Sequence, residues 1–150
     1  MSQANSEVVA STKAPIWYWI VSLLALAWNL LGLMAFYFQV TLNDESMATL
    51  DPAQQELYKS MPGWVNIAFG TAVIGGSLGC LLLLFRSRWA TPVLLLSLLG
   101  VLAQNAYMFF LSNTFEIMGS GAMLMPIVII VISVTLFLLA CLAGLSGWLK

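Results

Sequence analysis

Apolar residues gather into four long runs along this chain, at about 16–38, 64–85, 90–111 and 122–148, with polar residues crowded between them. Each run reaches or exceeds the ~20 residues that carry an α-helix across a ~30 Å hydrocarbon core. None contains Asp, Glu, Lys, Arg or His. The pattern predicts an all-α membrane protein, with four transmembrane helices in an up-down bundle and a short helical outer loop. Residues 16–150 form the transmembrane domain, and residues 1–15 precede it as a disordered cytoplasmic tail.

Composition agrees with that reading. The chain is 61% hydrophobic and 7% charged, against about a quarter charged in soluble domains. So few charges could not cover the surface of a water-soluble bundle. A secretory signal is the competing account of the first run. That run is longer than the ~7–15-residue apolar region of such signals, only Lys13 precedes it as a basic residue, and no convincing small-x-small cleavage site follows. The run reads as a retained span.

Charge placement sets the orientation. Lys13, Arg86, Arg88 and Lys150 fall on one side of a four-span chain, which the positive-inside rule makes cytoplasmic. Asp44, Glu45, Asp51, Glu56 and Glu116 fall on the other, with Lys59 the cation among them. The expected location is the cell inner membrane, with both termini cytoplasmic. Trp17, Trp19, Trp89 and Trp148 then belong at the inner interface and Trp64 at the outer one. "RSRW" is short enough to force spans two and three into an antiparallel hairpin. In "LDPAQQELYKSMPGW", Asp51 is placed to cap a helix, Pro52 suits its first position, and Pro62 and Gly63 end it. Leu57, Tyr58 and Met61 would rest that helix on the bundle or the membrane surface. No internal repeat is evident, which gives an inverted-repeat transporter no support.

Steps of three and four residues sort each span into faces. Span one presents Ser22, Ala25, Asn29, Gly32 and Phe36, and span two presents Ala68, Ala72, Gly75 and Gly79 with Gly76 beside them. Span three presents Ser97, Gly100, Gln104 and Tyr107, and span four Ser133, Phe137, Ala140 and Gly144. Membrane helices associate through small-residue faces and hydrogen bonds, because lipid tails are as apolar as leucine. Gly32, Gly75, Gly76, Gly79 and Gly100 are therefore the expected packing residues. If Ile16 and Ala90 mark one edge, Asn29 and Gln104 lie at a common depth, roughly 20 Å up their helices. Two readings follow for Asn29, Gln104 and the adjacent Asn105. In one they clasp the helices together. In the other they line a pocket for a neutral polar solute, with Trp28 and Tyr107 beside it.

Catalysis finds little support. Histidine is absent, which removes the commonest general base and metal ligand. Carboxylates occur only outside the spans, so no acid–base pair is enclosed. Cys80 and Cys141 fall toward the cytoplasmic ends of their spans and read as apolar fillers. The eight methionines read as core packing. No catalytic residues, metal, cofactor or nucleic acid are expected.

"WNLLGLMAFYFQVTL", the segment ending "LYKSMPGW", and "GGSLGCLLLLFRSRWATPVLLLSLLGVLAQN" followed by "FFLSN" together resemble a family of small four-span bacterial inner-membrane proteins often labelled "sugar transporter". The resemblance covers nearly the whole chain after the tail and rests on Trp28, Asn29, Gly32, Gln39, Pro62, Trp64, Gly76, Gly79 and Arg86. It implies a four-span fold and adds weight to transport. Two function classes stand open. The first is an accessory or assembly module that packs against itself or a larger membrane complex. The second is an oligomeric facilitator for a neutral polar solute such as a sugar. A small membrane enzyme comes third.

Overall fold

Residues 12–150 are described by the structure, a computed structural model, and they are helical almost throughout. The chain runs through α1 (Ile16–Val40), α2 (Asp44–Ala48), α3 (Pro52–Ser60), α4 (Gly63–Leu84) and α5 (Ala90–Ala106). A π-helical turn (Tyr107–Leu111) then leads to α6 (Thr114–Met118), a 3-10 turn (Ser120–Met123) and α7 (Leu124–Leu145). Helices α1, α4, α5 with its π turn, and α7 are each long and apolar enough to cross a membrane. The protein is thus an all-helical, multi-pass membrane protein. Of the expected tail, residues 1–11 lie outside the described residues, and residues 12–15 lead without helix into α1.

The hairpin of α4 and α5 is the centre of the bundle. Helix α1 packs on α4 and α7 packs on α5, while α1 and α7 do not pack closely on each other. Small residues set these distances. A methyl group added at Gly100 would come within 2.8 Å of Ala68 O and 2.9 Å of Ala72 N, so here backbone meets backbone. At Gly75 it would meet the Ser97 Cβ at 3.1 Å, and at Gly79 the Leu94 side chain at 2.5 Å. Gly32 takes the Val73 side chain of α4 in the same way, and Gly70 takes the ring of Phe36. Ser97 Oγ donates across this interface to Ala72 O at 2.5 Å. Bonds of that kind satisfy a hydroxyl where no water can.

The end of the bundle that carries Thr12 and Lys150 is tightly closed. Tyr18, Leu83, Ala90, Leu139, Ala140 and Ala143 are buried there in one cluster drawn from all four long helices. Tyr18 donates its hydroxyl to Leu83 O at 2.7 Å, fixing the start of α1 to the end of α4. Helix α7 stops at Leu145, three residues short of the expected boundary at Trp148. Gly147 adopts φ +71, and Trp148 N and Gly147 N return to Ala143 O and Gly144 O at 2.9 and 3.2 Å. That pairing is a Schellman turn, and glycine supplies its left-handed residue without steric penalty. The turn folds Trp148 back against the rings of Trp17 and Tyr18, each 5.7 Å away. Arg86, itself left-handed at φ +58, ties the closure together. Its Nε donates to Trp148 O at 2.5 Å and its Nη2 to Thr12 O at 3.1 Å. Its backbone carbonyl accepts from Lys150 N at 2.6 Å. A residue expected to serve topology alone therefore also joins three segments.

The opposite end is looser. Asn43 caps α2 by accepting from Ser46 N at 2.8 Å. Pro52 occupies the first turn of α3, but the Asp51 carboxylate makes no cap bond there. Proline suits that first position because its missing N–H would have had no partner within the helix, and Gln55 Nε2 secures Leu50 O at 2.9 Å. The expected face of α7 is also displaced. Leu136, Leu139, Ala140 and Ala143 are its buried residues in the closed half, whereas Gly144 is exposed and Phe137 half-buried. Helix α7 is apolar all round, so its sequence offers no contrast to mark one face.

Candidate functional site

Because α1 and α7 flank the central hairpin without meeting closely, a cleft remains between them. Its inner part is a cavity of about 290 Å³ bounded by all four long helices. A second chamber of about 550 Å³ adjoins it at the loop end, roofed by Leu57 and Tyr58 of α3 and by Met61 just after it. Phe69, Gln104, Met125 and Ile129 line both. Two glycines help create the space, since a side chain at Gly32 or Gly76 would project toward the inner cavity's wall.

The inner cavity contains Asn29 and Trp28 of α1. Asn29 Nδ2 donates to Ala25 O on its own helix at 2.8 Å and to Cys80 Sγ at 3.6 Å. Its Oδ1 lies over Gly76, where any added Cβ would collide with it. Glycine at position 76 is what admits the amide. Ser97 and Ser133 also reach the cavity, but their hydroxyls donate to Ala72 O and Ile129 O.

Asn29 and Gln104 do not pair. Asn29 sits over Gly76, whereas Gln104 lies one turn beyond Gly100, which faces Ala68 and Ala72. Eight residues separate Gly76 from Ala68, so the two amides differ in depth by roughly 12 Å at 1.5 Å per residue. A common depth requires Ile16 and Ala90 to be level edges. They are staggered: Gly79 meets Leu94 near the start of α5, while Asn29, nearly four turns into α1, meets Gly76. Among the described residues the Gln104 side chain has no hydrogen-bond partner, and it stands half-buried at the junction of the two chambers.

Asn105 and Tyr107 belong to the outer chamber. Asn105 is 4% exposed and bonds to Val101 O on its own helix at 2.8 Å. Tyr107 opens the π turn and sets its ring edge-on to Trp64 at 5.7 Å. The wider π turn re-aims the residues after Asn105, and such turns recur at functional positions. Sequence reasoning did not place Gln39 in this group. Its Nε2 donates to Asn66 Oδ1 at 2.6 Å and approaches Met61 Sδ at 3.6 Å, joining α1, α4 and the end of α3 beside the chamber. Its signals in the sequence are its position just past the first apolar run and its place among the residues that carry the resemblance. Among the described residues, no Asp, Glu, Lys or Arg lines either chamber. Comparison with protein-family models, with curated proteins and with solved structures found no match to this chain.

Proposed function

We propose that this protein works by binding, holding a neutral ligand within its own bundle, and that it sits in a bacterial inner membrane with both termini cytoplasmic. The observation that carries the reading is the cleft between α1 and α7, walled by four helices and free of charged side chains among the described residues. An uncharged, largely apolar site with a few convergent polar groups is the usual form of a small-molecule site.

An assembly module draws its support from the small-residue faces, and those faces are spent inside the chain. Gly32, Gly75, Gly76, Gly79 and Gly100 each meet a neighbouring helix of the same chain. What the fold leaves unfilled is the cleft. Its closure at the terminal end by Tyr18, Leu139 and Ala143 favours a blind site over a continuous passage, and a single chain supplies all its walls. Orientation rests on Arg86 and Lys150, which lie together at that closed end with Thr12, beside Lys13 and Arg88 in sequence.

Native mass spectrometry after purification in a mild detergent tests the reading. The wild-type chain should retain an uncharged small molecule at about one per chain. Ala35→Trp, on an exposed position at the cleft wall, should lose it while remaining folded. A stoichiometric protein partner, with no small molecule retained, would replace this reading by the assembly module.

A further inference from the structure

We infer that the ligand is an uncharged single-chain amphiphile, with its apolar chain in the inner cavity and its polar head in the outer chamber, and that it enters sideways from the bilayer between α1 and α7. The inference rests on the binding reading above and gives it a ligand class.

The hydrogen-bonding state of the walls separates the two chambers. In the inner cavity the donors of Asn29, Ser97 and Ser133 are already committed to backbone carbonyls. The surrounding wall is apolar, with Leu31, Val73, Leu94, Ile132 and Leu136. Trp28 Nε1 and Asn29 Oδ1 have no hydrogen-bond partner among the described residues, but two groups cannot answer the several hydroxyls of a sugar, and each one left unmet costs about 1–3 kcal/mol. A hydrocarbon chain meets no such cost. The outer chamber is different, since Gln54 and Tyr58 line it with no hydrogen-bond partner among the described residues, beside Ser112 and Thr114, whose hydroxyls bond each other. Between the two stands the Gln104 amide, without a partner among the described residues. An unpaired amide in hydrocarbon is costly, and a hydroxyl or ester oxygen at the chain–head junction would satisfy it.

Two further features fix the class. With no charged side chain in either lining among the described residues, an ionised head would be buried without compensation, so the head is neutral. Met61, Met108, Met118 and Met125 supply adaptable walls around it, as methionine does at surfaces that accept varied shapes. The route of entry follows from the seam. Leu31 and Met125 line the inner cavity yet remain 60% and 57% exposed, and a gap between two membrane-crossing helices faces lipid. Together the chambers fall within the roughly 300–1,000 Å³ of small-ligand sites.

The test uses the full chain in lipid nanodiscs and a photoreactive monoacylglycerol, with monoolein, oleate and glucose as competitors. Labelling should saturate and map to α1, α7 and the outer chamber. Monoolein should displace the probe at least about tenfold better than oleate, the same chain with an ionised head. Ala35→Trp should abolish the labelling, and Gln104→Leu should weaken it about fivefold, as for one lost hydrogen bond. Equal displacement by oleate, or undiminished labelling of the Ala35→Trp protein, would overturn the proposal. Glucose binding without monoolein binding would remove the amphiphile and leave the binding reading standing. Absence of binding by either would remove both.

Discussion

Six polar side chains inside the membrane helices take the nearest acceptor, the carbonyl one turn back. Asn29, Thr71, Ser77, Asn105, Ser133 and Thr135 all bond to the residue four positions earlier. Such bonds satisfy the side chain without a neighbour, which leaves fewer polar groups to fasten one helix to another. The amides were legible from sequence as residues pointing into the bundle. Their partners were not, because the stagger between helices is set by packing along the whole interface rather than by where each apolar run begins. The corrected geometry makes a definite prediction. Asn29→Leu and Gln104→Leu should each change stability on their own, and the double replacement should equal their sum within about 0.5 kcal/mol, as for separated sites. Thermal unfolding of the four proteins in one detergent would measure this. A coupling above about 1 kcal/mol would restore the direct clasp.

At the scale of elements, helix α4 is a strut whose small residues receive helices on two sides. Gly32 and Phe36 of α1 meet it at Val73 and Gly70, while Ser97 and Gly100 of α5 meet it at Gly75, Ala68 and Ala72. These faces could be read in advance because glycine, alanine and serine contrast with the leucines around them. Helix α7 lacked that contrast, and the π turn after Ala106 has no sequence signature to announce it. The contacts are unequal in kind. Gly79 faces the end of a flexible leucine, whereas Gly100 faces backbone that cannot rotate away. Gly100→Ala should therefore lower stability by about 1–3 kcal/mol through overpacking, despite alanine's better helix propensity. Gly144→Ala is the internal comparison, since Gly144 is exposed and its nearest new contact would be Leu149 Cδ1 at 4.0 Å. It should be neutral or slightly stabilising. Equal melting temperatures for both variants would mean that α4 and α5 are not in backbone contact.

For the whole molecule, the bundle is closed at one end and open at the other, and the distribution of charge follows that division. Arg86 draws Thr12, Trp148 and Lys150 together at the closed end, while Asp44, Glu45, Glu56 and Glu116 are exposed on the loop end. Cations near membrane helices are retained on the cytoplasmic side, whereas acidic residues exert little pull. The closed end should therefore face the cytoplasm, and the chamber beneath α3 should open toward the other side. Single cysteines at positions 56 and 87, in a background lacking Cys80 and Cys141, would report this in intact cells. Glu56→Cys should react with a membrane-impermeant maleimide. Ser87→Cys should react only after the cells are permeabilised, a control that separates sidedness from its partial burial. Labelling of Ser87→Cys but not Glu56→Cys in intact cells would invert the protein, turning its outer chamber to the cytoplasm.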